Sequence, residues 1–175
     1  VGDATNYPIL AGLRPDFYRC FVEQTWAHLS GRSVIGLVHP EMHFTDEKAG
    51  LLRARTYRHL RRHWQFVNEL QLFKEIDHHN TYGIHVYGSA REVSFDHACG
   101  LYHPDTVERS YRHDGSGEEP GLKFEGSWDQ RPHAGRIQHV DSSVLETWRD
   151  MLESPDAPVE QTRMVYAVNS SSAHV

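Results

Sequence analysis

Fourteen histidines among 175 residues mean that imidazole chemistry has to be weighed first in this chain. His39-Pro40-Glu41-Met42-His43 sets two imidazoles four residues apart with a carboxylate between them, the residue types a zinc hydrolase uses. That spacing converges both rings on one ion only along a helical face. Pro40 interrupts here at the end of a strand pattern, so no metal ligand is assigned to the run. Asp77-His78-His79 offers a similar set, but neighbours on an extended chain point apart, and a solvated bend accounts for them. Glu41 and His43 do stand just past the carboxyl end of a buried-strand pattern, where open α/β sheets bind ligands. Both are equally suited to ending that strand.

The cationic residues form two groups. Arg53, Arg55, Arg58, Arg61 and Arg62, with His59 and His63, concentrate five of the 18 Lys and Arg in one helical pattern. Arg58, Arg61 and Arg62 share one side of such a helix, which could face phosphates or simply acidic neighbours and water. Between Tyr111 and Arg136 a glycine-rich stretch carries Lys123, Trp128, Arg131, His133 and Arg136. A loop of this kind can enter a DNA groove, with Arg131, His133 and Arg136 as contacts, although structural ion pairs would read identically. His113-Asp114-Gly115-Ser116-Gly117 lacks the strand, the helix and the Lys-Ser/Thr pair of a phosphate loop. No Gly-x-Ser-x-Gly frames a serine and no Gly-x-Gly-x-x-Gly follows a strand, so neither a catalytic nor a cofactor-binding residue is assigned.

These groups have to be positioned by an alternation of helices and strands. Phe17, Tyr18, Phe21, Val22, Trp26 and Leu29 recur at helical spacing over residues 15–30, with Pro15 in the first turn and Gly31 after the end. Ser33 to Val38 is a short β-branched run stopped by Pro40, hence a buried strand. Thr45 can cap a second helix, with Asp46 and Glu47 in its first turn and Arg58, Arg61 and Arg62 near its end. Gln65 to Phe73 and Tyr82 to Tyr87 read as two more strands around the bend at Asp77 to Asn80. After Gly88 the texture changes to a turn-rich region with a strand at Ile137 to Val140, a helix from the Asp141 cap to about Glu153, and a strand at Arg163 to Val168. The expectation is an α/β layer over residues 1–88 and a smaller, loop-rich α+β region over residues 89–175.

Composition restricts the setting. Hydrophobic residues are 38% and charged residues 24%, the profile of a folded chain, and a net charge of −6 argues against a surface that is basic throughout. Contact with nucleic acid must therefore be local. No window approaches the roughly 20 apolar residues of a membrane span, and Val1 to Leu10 has no leader pattern. Two cysteines, Cys20 and Cys99, fit a reducing, cytoplasmic compartment. The chain begins without Met and ends as a strand pattern finishes, which reads as a segment of something longer.

Gly12-Leu13-Arg14-Pro15-Asp16-Phe17-Tyr18-Arg19-Cys20-Phe21, then Gly31-Arg32-Ser33-Val34-Ile35-Gly36-Leu37-Val38-His39-Pro40 and Leu52-Arg53, resemble the latter half of the catalytic domain of DNA adenine methyltransferases. The family has a "D-L-Y-x-x-F" helix, a "G-x-I-G-L-I-x-P" strand and a helix bearing "L-R". Leu70 to Phe73 and Tyr82 to Tyr87 resemble the last strands of that sheet. The branch it is most similar to is the large bacterial restriction-type enzymes, including phage-growth-limitation enzymes of the BREX phage-defence systems. The likeness covers about half the chain. It implies the carboxyl-side half of a Rossmann-like methyltransferase sheet, with the start of a target-recognition region after Gly88. It also implies S-adenosylmethionine as cofactor of the parent, and double-stranded DNA and the remainder of the methyltransferase chain, or a catalytic subunit, as partners. The glycine-containing cofactor turn and the Asn/Asp-Pro-Pro-Tyr/Phe loop lie upstream of the matched helix in the family and are not present here; Asn6-Tyr7-Pro8 is not that loop. The segment is thus expected to be inactive alone. The alternatives are a metal-dependent hydrolase built on His39, Glu41, His43 and the His78-His79 bend, and a non-catalytic nucleic-acid-binding subunit.

Overall fold

The computed structural model describes residues 5–14 and 16–174. Helix α1 (Phe17–Ala27) starts where Asp16 accepts a hydrogen bond from the Tyr18 N–H, an N-cap that satisfies one of the free donors of the first turn. Pro15, expected in that turn, lies outside the described residues. The apolar residues of α1 divide between two faces. Val22 and Trp26 are buried with Cys20, whereas Phe17 and Phe21 are 65% and 68% exposed. Strand β1 (Val34–His39) follows, then a one-turn helix α2 (Met42–Thr45).

The expected cap at Thr45 is absent: Asp46 caps a short 3₁₀ turn, accepting from Lys48 N–H, and the helix after it has Ala49 at its N-cap. The turn leads into α3 (Gly50–His59), which stops sooner than its arginine pattern suggests because Leu60 turns extended and opens strand β2 (Leu60–Val67). Asn68 then ends β2. Its side chain is buried and bonds the backbone of Phe73 and Ile76, so Leu70 to Phe73 form an irregular loop where a strand was expected. Strand β3 (Thr81–Gly88) contains the expected run. Strand β4 (Ser94–Leu101) and helix α4 (Pro104–Ser110) occupy a stretch to which the sequence assigned neither.

Next come a two-residue hairpin, β5 (Lys123–Phe124) with β6 (Ser127–Trp128), then β7 (Gln138–Asp141) and α5 (Ser142–Leu152). As the sequence indicates, Asp141 caps α5, accepting from the N–H groups of Ser143 and Val144. Residues 163–168, where a strand was expected, join no sheet. Met164 N–H donates to Phe44 O, and the Cys99 thiol to Ala167 O.

One open, mixed sheet of order β1-β3-β2-β4-β7 organises these elements. β3 is antiparallel to both β1 and β2, so β1 and β2 run parallel to each other. β4 is parallel to β2, and β7 antiparallel to β4. The architecture is α/β in the broad sense. The expected division at residue 88 falls between two strands of this sheet, and one core joins Leu10, Trp26, Leu52 and Tyr57 with Phe95, Val140, Leu145 and Trp148. Residues 89–175 are therefore not a separate core. On the opposite face Trp64, Phe66, Tyr82, Ala98 and Leu101 pack with Val107 of α4. No described helix is long and apolar enough to cross a membrane.

The glycine-rich loop is organised from within. Asp129 is buried and accepts from the backbone N–H groups of Gly121 and Arg131 and from the Arg131 guanidinium, with Arg136 Nη2 3.4 Å away. Burial alone would raise this carboxyl, but those hydrogen bonds outweigh it and hold its pKa below the usual aspartate value. A depressed carboxyl contributes stability that is complete above the unfolded value, about 3.9, and is lost as pH falls through the folded value. Asp129→Asn is expected to lower the unfolding free energy by about 3 kcal/mol at neutral pH, as for a broken buried ion pair. The gap from wild type should narrow in urea titrations repeated near about pH 3.

Candidate functional site

Strand register builds an arrangement that the linear sequence conceals. His63 on β2 stands directly between His85 on β3 and His97 on β4, the three pairing across adjacent strands. Because side chains alternate along a strand, equal register puts all three imidazoles on one face. That face is the one covered by the main core, and each ring is at most 1% exposed. Phe44 lies over them, its ring centroid 5.0 Å from His63 and 5.7 Å from His85.

The turn after β1 completes the group. Glu41 is buried and its Oε1 pairs with His63 Nε2, while His63 Nδ1 lies 2.8 Å from Nδ1 of His97. His39, at the end of β1, stacks on His85 with centroids 3.7 Å apart and planes 3° from parallel. It bonds Tyr87 OH through Nε2 at 2.8 Å and Pro40 O through Nδ1 at 2.7 Å. Burial pushes the His39 pKa down to about 4, and pushes His43, His85 and His97 well below the ordinary histidine value, so these rings are neutral at neutral pH. The Cys99 thiol beside them is pushed up to about 12 by the same burial and is not a nucleophile.

Several polar atoms of this cluster have no hydrogen-bond partner among the described residues: Glu41 Oε2, His43 Nε2 and the Tyr166 hydroxyl, while the His85 and His97 rings reach the backbone of Gly83 and Val165. Leaving a buried polar group unmet costs about 1–3 kcal/mol, so these atoms call for a buried water, an ion or a ligand.

Beside it opens a cavity of about 690 Å³, lined by His39, Glu41, Gln65, Tyr82 and Tyr166 over an apolar floor that includes Val38, Phe73 and Ile76. It sits past the carboxyl ends of the parallel strands β1 and β2, where open α/β sheets hold ligands. Its size falls in the range of small-molecule sites, about 300–1,000 Å³. Glu41 belongs to both the cavity wall and the histidine group.

The residues singled out in the sequence are distributed differently from expectation. His39, Glu41 and His43 do meet, but through a strand end and a turn. The other rings come from β2, β3 and β4, with His78 and His79 left on an exposed turn where Asp77 accepts from His79. Arg58, in the last turn of α3, is exposed and its guanidinium lies 3.8 Å from Glu160 Oε2. Arg61 and Arg62 lie on β2, so they project to opposite faces and share no helical side with Arg58. Arg61 is committed to the backbone carbonyls of His59, Leu60 and Ser89. Arg62 is exposed, with its guanidinium carbon 5.6 Å from the Tyr111 ring centroid.

Arg136 and His133 are 2% and 4% exposed. Arg136 donates to the carbonyls of Arg131 and Asp129, and His133 Nδ1 accepts from Gly135 N–H. Both hold the loop together and are withdrawn as DNA contacts. Arg131 is tied to Asp129 and Glu118, its guanidinium carbon lies 3.7 Å from the Phe124 ring centroid, and it is partly exposed. His63, His85 and His97 were missed as a set. Their only sequence signal is one histidine in each of three strands, and its meaning depends on register.

Comparison with protein-family models and with curated proteins finds no match for this chain.

Close packing at the cluster depends on Gly83. A Cβ there would stand 2.2 Å from His85 Cε1 and 2.9 Å from Glu41 Oε1, whereas one at Gly36 of β1 would meet nothing within 4 Å. Gly83→Ala should destabilise the fold by about 1–3 kcal/mol through overpacking. Gly36→Ala should cost less than about 0.5 kcal/mol. Chemical denaturation of both variants tests the difference.

Proposed function

We propose that the chain is part of an adenine-specific DNA methyltransferase of a restriction-modification or phage-defence system, supplying the rear of its Rossmann-like α/β layer and the beginning of its DNA-reading region. The observation that carries this reading is the unpaired outer edge of β1. That strand holds Gly36-Leu37-Val38-His39-Pro40, leads through α3 with Leu52-Arg53 to a parallel β2, and among the described residues pairs only with β3. On one face of that strand Val34 and Val38 are 66% and 55% exposed, Val38 in the cavity wall. Folded domains cover or blunt open strand edges, and a preceding strand of the same sheet would pair with this one.

The family-like residues have structural tasks consistent with this. Arg53 is buried and its guanidinium donates to the carbonyls of His43, Asp46 and Gln161, fixing α3 against the turn after β1. The cavity past β1 and β2 lies on the side of the sheet where a ligand of the whole domain would sit. S-adenosylmethionine would be held by the family's glycine-containing turn, and the flipped adenine by its Asn/Asp-Pro-Pro-Tyr/Phe loop, both upstream of the residues described here. No catalytic role falls to a residue of this segment. Its contribution to DNA binding rests on the exposed Arg58 and Arg62, with Arg131 at the loop.

Two measurements test the reading. The residues encoded ahead of Val1 should contain the Asn/Asp-Pro-Pro-aromatic loop. A chain extended to include them should transfer a labelled methyl group from S-adenosylmethionine to adenine in duplex DNA, while the 175-residue segment transfers none. Transfer by the segment alone, or an extended chain without the loop and without transfer, overturns it; transfer only after mixing with a separate chain makes the segment a subunit. In the active assembly, Arg58→Ala should reduce the slope of log K against log salt by about one unit if Arg58 meets a phosphate, and an unchanged slope removes it from the interface.

A further inference from the structure

The cluster on the covered face of the sheet contains one set of donors whose geometry goes beyond structural hydrogen bonding. Glu41, His63 and His85 each present a ligand atom, and these atoms lie within 4.8 Å of one another. All three residues are more than nine-tenths buried. The set is also left incomplete by the protein itself: Glu41 Oε2 has no partner among the described residues, and the His85 ring meets only the Gly83 backbone and no side-chain hydrogen-bond partner. We propose that Glu41, His63 and His85 bind a divalent transition-metal ion, zinc or iron(II), as a two-histidine, one-carboxylate centre that opens through Glu41 toward the cavity past β1 and β2.

The chemistry of the surroundings supports a bound cation. Two imidazoles and a carboxylate are the donor set of three-ligand zinc and non-haem iron(II) sites, which leave positions free for water or a ligand. The cavity that Glu41 lines supplies that access. His97 supplies the support such sites require. With His63 Nε2 on the ion, its proton stands on Nδ1 and is donated to His97 Nδ1, 2.8 Å away; the proton of His97 then occupies Nε2. His39, stacked on His85 and anchored to Tyr87 OH and Pro40 O, fixes the plane of the second ligand ring. Metal binding would tie the end of β1 to the middle of β2 and β3. It would also give partners to atoms that otherwise have none. The inference is independent of the methyltransferase reading, since it concerns only side chains of this segment.

A second group, Asp77, His78 and His79, also satisfies the distance criterion but is exposed, and its contacts are those of a turn. It supplies the control. The chain should be purified without a histidine tag, stripped with chelator and titrated with zinc and with cobalt(II), with metal content measured after gel filtration. One retained equivalent, a raised Tm and a cobalt(II) spectrum of nitrogen and oxygen ligation are expected, all preserved in the His78→Ala/His79→Ala double variant. Glu41→Gln and His85→Gln should each reduce affinity by at least about tenfold, as loss of ligand-shell groups does elsewhere. Failure of the wild-type chain to retain metal overturns the proposal, as does binding that the double variant abolishes or that Glu41→Gln and His85→Gln leave unchanged. If the ligand variants do not fold, the wild-type and double-variant measurements still decide between the two groups.

Discussion

The chain of contacts from Glu41 to His63 to His97 is the constraint around which the rest of the structure is arranged. It joins the turn after β1, the centre of β2 and the centre of β4 in one line of buried polar groups. Its members cannot be moved to solvent without reversing a strand register, because a one-residue slip would turn every side chain of that strand to the other face. The elements above the sheet accommodate it. Phe44 roofs the rings, Arg53 ties the roof to α3 and to the backbone at Gln161, and residues 163–168 close the remaining side. Gly83 is the position where the backbone must yield space for His85.

The same sheet is unequally finished. Toward β4 and β7 both faces are occupied, one by α3 and α5 residues and the other by α4. Toward β1 the outer edge pairs with no strand of the described residues, Val34 and Val38 are open, and Phe17 and Phe21 of α1 are exposed as well. Hydrophobic area of that kind is energetically useful only when covered, at about 25 cal/mol per Å² removed from water. The polar cluster lies where the sheet is covered, and the methyltransferase proposal rests on the open end.

The cationic residues illustrate how little charge says about exposure. Arg53, Arg131 and Arg136 look alike in sequence, yet the first locks a helix to carbonyl groups, the second shares a carboxylate at a loop surface, and the third is sealed beneath that loop. The arginine is held inside in two of the three because planar donors meet several backbone acceptors at once.

Local information determined a good part of the outline. Apolar spacing located α1, the Asp141 cap located α5, and short apolar runs located β1 and β3, since these depend on residues within a few positions of each other. Strand β4 escaped detection because His97, between Phe95 and Cys99, occupies an inward position with a polar residue. The end of α3 escaped because nothing in Arg58 to Arg62 opposes helix. Pairing order, the single core across residue 88 and the histidine row were decided only by tertiary structure. His63, His85 and His97 are separated by 22 and 12 positions in the chain, and only the register of β3, β2 and β4 makes them neighbours. Sequence carries the alternation of side chains along each strand; which strands lie side by side, and in what offset, follows from burial of the whole sheet.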